Sequence, residues 1–135
     1  MPGIFHPPCR AWGNYSTWAK PRQGEKELAI WALEKVRENG GVLEHPLSSK
    51  LWKTARCRTY GIRDQHGGVL IPVLQNWWGH RAEKKTGLYI VGPVPEFPWA
   101  KPTPQTTVEN MGRAEREATP EKLARWLVEI AKSCR

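Results

Sequence analysis

Two short apolar runs, "GIFH" (3–6) and "GVLEHP" (41–46), each stop at proline, and they flank a segment with helical periodicity. Proline cannot donate to a strand ladder or continue a helix, so each run reads as a strand with a defined end. Between them, "EKELAIWALEKVRENG" (25–40) places Leu28, Ala29, Ala32, Leu33 and Val36 at spacings of three and four. That pattern predicts an amphipathic helix, stopped by Asn39-Gly40-Gly41. Strand, helix, strand is a βαβ unit, which implies parallel strands and a right-handed crossover.

The remaining elements are read around that unit. "CRAWGNYSTWAKPRQG" (9–24) is an aromatic, basic loop, and ordered loops of this length are often functional. "SSKLWKTA" (48–55) reads as a short helix capped by Ser48. "RCRTYGIRDQHGG" (56–68) is polar and loop-like. "VLIPVLQNWWG" (69–79) and "TGLYIVG" (86–92) form a predicted antiparallel hairpin, with Pro72 marking an edge or bulge. Residues 93–118 form a predicted extended, proline-rich segment, with five prolines between 93 and 104. "TPEKLARWLVEIAKSC" (119–134) is the clearest helix: Thr119 caps it, Pro120 takes its first position, and Leu123, Trp126, Leu127, Ile130, Ala131 and Cys134 line one face. The expected fold is a single α/β domain: a small, Rossmann-like, mainly parallel sheet with a C-terminal antiparallel hairpin and flanking helices.

The chain has 135 residues, eight of them tryptophan, and a formal net charge of +8. A basic balance favours anionic partners, nucleic acid first. Cys9, Cys57 and Cys134 are widely spaced with no Cys-x-x-Cys pair, so free thiols in a reducing compartment are expected and a zinc site is not. No run approaches the roughly 20 apolar residues of a membrane helix. The N-terminus lacks the pattern of a signal peptide, so a cytoplasmic location is expected.

Ligands of open parallel sheets bind beyond the carboxyl ends of the strands. One strand here ends in His6-Pro7-Pro8-Cys9 and the other in Glu44-His45-Pro46. Adjacent strands would put a thiol and a carboxylate in one cleft. A thiolate is a nucleophile when positive charge lowers its pKa, and Arg10, Lys20, Arg22 and Arg81 are candidates to supply that charge. The competing readings are a buried, inert Cys9, and Glu44 at the start of a helix after Pro46. A metal set of His6, His45, His80 and Glu44 is a minor alternative. Gln75, His80, Arg81, Lys84 and Lys85 surround Trp77 and Trp78, a mixture that suits phosphate contact with base stacking, or equally a solvated turn beside a core tryptophan pair.

In order along residues 3–92, "FHPPC", "VLEHP" and "QNWWGHRAEKKTGLYIVG" resemble the Pro-Cys, Glu-Asn and Gln-led basic motifs of the C5-cytosine DNA methyltransferase superfamily, in particular a compact phage-type branch. The resemblance implies that the Cys9 thiolate adds to C6 of a pyrimidine and that Glu44 hydrogen-bonds the base edge. It implies that Gln75 and Arg81 belong to the motif that positions base and backbone, and that the 10–24 loop closes over a flipped base. Arg10, His80, Lys84 and Lys85 complete the expected DNA-contacting set. His45 stands where the family usually has Asn, and the alternating arginines of the Gln-led motif are absent. The family's glycine-rich cofactor strand has no counterpart before Gly3, so S-adenosylmethionine is expected only if a partner chain or a homodimer completes its site. The alternative expectation is a non-catalytic phage accessory protein that binds nucleic acid or a host protein.

Overall fold

The sheet has four strands in the order β1-β2-β4-β3: β1 (Gly3–Phe5), β2 (Gly41–Pro46), β3 (Gly68–Leu74) and β4 (Lys85–Val91). It is mixed. β1 runs parallel to β2, whereas β4 is antiparallel to both β2 and β3. This computed structural model describes residues 1–13, 21–57 and 61–134. Most of the expected closing loop, residues 14–20 including Lys20, and residues 58–60 of the expected polar loop lie outside them.

The βαβ unit forms as the sequence dictates. Helix α1 (Glu25–Asn39) buries Ala29, Ala32, Leu33 and Val36 and returns the chain to β2 beside β1. Leu28 does not join that face and is 43% exposed. The helix ends at Gly40, whose N–H bonds the carbonyl of Val36 at 2.8 Å. Gly41 follows at φ 118°, and a Cβ there would lie 2.0 Å from the carbonyl oxygen of Gly3, so only glycine lets β1 approach this closely.

The mainly parallel sheet expected from the sequence is not what forms. Only the β1/β2 pair is parallel, because the hairpin partner β4 inserts beside β2 instead of extending the sheet on β3's far side. Pro72 lies in β3, which is an edge strand, the place where a missing ladder donor costs least.

Alternation along the strands gives the sheet two apolar faces. Leu43, Leu70 and Tyr89 pack with α1, Trp12 and helix α2 (Leu51–Thr54). Val42, Val69, Val73, Leu88 and Ile90 pack on the other face with Trp78 and helix α4 (Glu121–Ser133). Leu123, Trp126, Leu127 and Ile130 of α4 are buried there, and full burial of such side chains stabilises by about 1.5–3 kcal/mol each. Two caps differ from expectation. Ser49 rather than Ser48 accepts the N–H of Leu51, at 3.1 Å. Helix α4 begins one residue later than expected, with Pro120 in the capping position and no side-chain cap.

The proline-rich segment is extended through residue 107 but not through 118. A short 3-10 turn (Val108–Asn110) and helix α3 (Arg113–Glu117) follow. The segment is tied down along its length: the Trp126 indole donates to the carbonyl of Glu96 at 2.8 Å, and Asn76 Nδ2 donates to the carbonyl of Pro102 at 2.7 Å. Thr106 forms a parallel bridge with Ala82. Among the described residues, no helix is long and apolar enough to cross a membrane.

Candidate functional site

β1 ends at Phe5 opposite Leu43, parallel β2 runs on to Pro46, and antiparallel β4 begins beside Pro46, so residues from three strands converge at one end of the sheet. A cleft of about 1200 Å³ opens there. His6 to Arg10, Glu44 to Pro46 and Lys84 to Thr86 line one part of it, and residues from the end of the proline-rich segment through α3 line another. Cys9 and Glu44, distant in sequence, share this cleft.

Glu44 lies at its base, 8% exposed. Burial by itself would raise its carboxyl pKa. The close ion pair with His6 Nδ1, the Lys84 charge and the Gln75 amide outweigh burial and hold it below the ordinary carboxylate value. Gln75 follows β3 directly and is fully buried; its Nε2 donates to Glu44 Oε1 at 2.8 Å and to Thr86 Oγ1 at 2.9 Å. Thr86 in turn donates to the carbonyl of Lys84 at 3.1 Å. A buried carboxylate is tolerated because charged and hydrogen-bonding neighbours surround it.

Cys9 is exposed and starts a 3-10 turn (Arg10–Trp12), its carbonyl accepting the N–H of Trp12 at 3.0 Å. Neighbouring groups that desolvate the sulfur push its thiol pKa up, and Glu117 adds to this, while Lys84 and Arg10 oppose it. Of the cations expected to activate it, Arg10 is paired with Glu25, and Arg81 bonds Glu115 at 2.7 Å. Arg22 lines the cleft, and Lys84 is the larger of the two cationic influences on Cys9.

His45 sits on the opposite sheet face from Glu44, as alternation requires. Its Nδ1 pairs with Ser49 Oγ at 2.7 Å, its ring meets Trp52 edge-on, and burial lowers its pKa to about 4, so the ring is neutral at pH 7. His80 is buried, its Nδ1 accepting the N–H of Ala82 at 3.1 Å, and it does not line the cleft. His6, His45, His80 and Glu44 are therefore not gathered. Among the described residues, no group of three or more His, Cys, Asp or Glu is placed to hold a metal.

The Gln-led segment divides by role. Lys84 and Lys85 reach the cleft, as expected of phosphate contacts. Gln75 positions Glu44 from within the core, where it cannot touch a nucleic-acid backbone. Arg81 faces away from the cleft lining and anchors the chain that forms the other wall: its carbonyl accepts the N–H groups of Gln105 and Thr106, and its guanidinium holds Glu115. Trp78 is buried and Trp77 half-buried; both pack with Phe97, and Trp78 also meets Trp126 at 5.2 Å between ring centroids.

Sequence reading missed the wall from Pro104 to Thr119, which includes Arg113, Arg116 and Glu117. Its one sequence signal was the i, i+3 arginine pair in "GRAERE", which sits beyond the last proline and outside the motifs. Nucleoside cofactors approach backbone at glycine-rich turns. No glycine lies among the described cleft residues, and the turn after β1 is Pro7-Pro8-Cys9. The described cleft residues therefore lack a glycine-rich turn of that kind.

Fold and site define a mixed-sheet α/β protein with a buried, ionised carboxylate and a thiol in one cleft at the strand ends. Compared with known proteins, the chain matches no family model, no curated protein and no solved structure.

Proposed function

We propose that the cleft accepts a pyrimidine base of DNA, with Cys9 the nucleophile and Glu44 the carboxylate that holds the base, in the manner of the catalytic half of a C5-cytosine methyltransferase. The single observation that carries this reading is that Cys9 and Glu44 line the same cleft at the ends of two parallel strands. The β1-α1-β2 crossover also supports a Rossmann-like origin for this half of the sheet. A carboxylate accepts a hydrogen bond from the exocyclic amino group of cytosine. Lys84 and Lys85, on the lining beside it, suit the adjoining phosphates.

The chemistry assigned to the chain's own residues is reversible addition. Cys9 loses its proton to solvent, and the thiolate sulfur bonds to C6. The electron pair of the C5–C6 double bond moves to C5, which takes a proton from water. Loss of a proton from C5 then expels the thiolate and restores the ring, so the net result is exchange of the C5 hydrogen. Methylation would need a separate methyl donor.

The test is incubation of a cytosine-containing oligonucleotide with the protein in deuterated water, read by mass spectrometry. Deuterium at C5 is expected with the wild type and not with Cys9→Ser. Equal exchange with folded Cys9→Ser would remove the nucleophile assignment.

A second reading, nucleic-acid binding without chemistry, is favoured by one observation: the Cys9 thiol pKa is raised, not lowered. It expects no exchange, and oligonucleotide binding that Cys9→Ser leaves unchanged.

A further inference from the structure

The wall built by the segment after the prolines has no role in the pyrimidine reading. It is nonetheless held in place. Gln105 N–H donates to the Arg81 carbonyl at 2.7 Å, Thr106 bridges Ala82, and Glu115 of α3 takes the Arg81 guanidinium at 2.7 Å. Three attachments to one short stretch, residues 81–82, position α3 against the cleft.

α3 brings two cations and one acid to the cleft: Arg113, Arg116 and Glu117. Arg113 and Arg116 both line the cleft, and at i, i+3 they share a side of the helix. Arg113 donates to Glu117 at 3.1 Å in a pair whose two side chains are 71% and 64% exposed. Such exposed pairs contribute little, and a phosphate, which accepts a charge-assisted, bidentate guanidinium contact, can replace the carboxylate. Arg116 has no ion-pair partner among the described residues, nor do Lys84 and Lys85 at the start of β4. Of the five carboxylates that line the cleft, Glu25, Glu44 and Glu117 are paired with Arg10, His6 and Arg113, and Glu83 and Glu109 have no ion-pair partner among the described residues.

The walls meet at Cys9. Lys84 from β4 and Glu117 from α3 both act on its sulfur, so both walls come within electrostatic reach of Cys9, the strand side with a cation and the helix side with the acid that Arg113 pairs. Size points the same way. A pocket for one small molecule occupies roughly 300–1,000 Å³. The cleft, at about 1200 Å³, exceeds that range.

We propose that Arg113 and Arg116 form a second phosphate-binding wall opposite Lys84 and Lys85, so that the cleft takes a base together with its flanking phosphates: a segment of nucleic-acid chain and not a free nucleoside. This rests on the pyrimidine reading of the same cleft and assigns it a substrate class.

The experiment is fluorescence anisotropy with a labelled cytosine-containing oligonucleotide, single-stranded and as a duplex, between about 50 and 200 mM salt. Each phosphate contact contributes about 0.7 (single strand) or 0.9 (duplex) to the slope of log affinity against log salt. Arg113→Ala/Arg116→Ala is expected to flatten that slope by about 1.4–1.8, the loss of two contacts. Lys122→Ala/Lys132→Ala removes the same charge from exposed positions on α4, outside the cleft lining, and is expected to leave the slope unchanged. Arg113→Lys/Arg116→Lys is expected to restore most of it.

An unchanged slope in the double alanine variant, or an equal change in the α4 control, would overturn the second wall and leave the pyrimidine reading standing. Displacement of the oligonucleotide by an equimolar amount of cytidine would likewise overturn it. No binding by the wild type at the lowest salt would instead remove the nucleic-acid reading itself, and the wall with it.

Discussion

Gln75→Met tests whether Gln75 serves the ionised form of Glu44. Methionine keeps the unbranched shape and removes both polar atoms. At pH 7 the variant loses a hydrogen bond of 2.8 Å to a carboxylate, and bonds to charged groups contribute about 1.5–3 kcal/mol. At an acid pH below the lowered Glu44 pKa, where its carboxyl is protonated, the same bond contributes about 0.5–1.5 kcal/mol. Two other changes occur at both pH values: the bond to Thr86 is lost, and Gln75 Oε1, which is buried without a partner, is removed. These cancel in the comparison. The sign follows from linkage: a carboxyl whose pKa is lowered in the folded state adds stability above its unfolded pKa, and that stability is lost as pH falls through the folded value. Urea denaturation of both proteins at the two pH values should therefore show Gln75→Met more destabilising at pH 7, by about 1 kcal/mol. Equal destabilisation at both would refute the assignment of Gln75 as the group that holds ionised Glu44.

The raised Cys9 thiol predicts that its alkylation by iodoacetamide, followed by peptide mapping, keeps rising about tenfold per pH unit through pH 8; a plateau below that would indicate an activated thiolate. His45, neutral in the fold down to about pH 4, adds stability that is complete above its ordinary value of 6.5 and is lost as pH falls between the two. The loss is about 3 kcal/mol at ~1.4 kcal/mol per unit, and His45→Asn should flatten the urea-measured stability profile across that window. Gly68→Ala should destabilise by about 1–3 kcal/mol, because overpacking has that cost. Its Cβ would fall 2.1 Å from the hydroxyl of Tyr89, which is fixed by a 2.5 Å bond to Asp64 and by Arg37. Wild-type stability in this variant would show that the Tyr89 contacts yield freely.

Much of the fold was legible because its signals are local. Proline marked the strand ends, helical spacing marked α1 and α4, and Pro72 marked an edge. The strand order was not legible. "TGLYIVG" is buried on both faces, which suits a central strand, but nothing in it names β2 as the neighbour. The site divides in the same way. That Cys9 and Glu44 would share a cleft was legible because motif and strand end coincide. The burial of Gln75 was not, because it follows from a pairing with Glu44 that only the strand order creates. Trp78 could be stacking surface or core until Phe97 and Trp126 arrived from distant sequence to cover it, and Trp77 stays half-buried. Arg113 and Arg116 escaped notice because only the attachments of the proline-rich segment to residues 81–82 bring them to the cleft.

The central place of β4 has a consequence for synthesis. During elongation, β1, α1 and β2 emerge as a crossover whose β2 has one open edge, and Glu44 on that edge has neither Gln75 nor Lys84 beside it. The carboxylate acquires its hydrogen-bond donor and its nearby lysine only after residues 75–91 leave the ribosome, and the second wall arrives later still. Half-made chains thus carry an open apolar strand edge, an aggregation-prone feature. A premature stop before residue 85 should yield insoluble protein, not a smaller working domain.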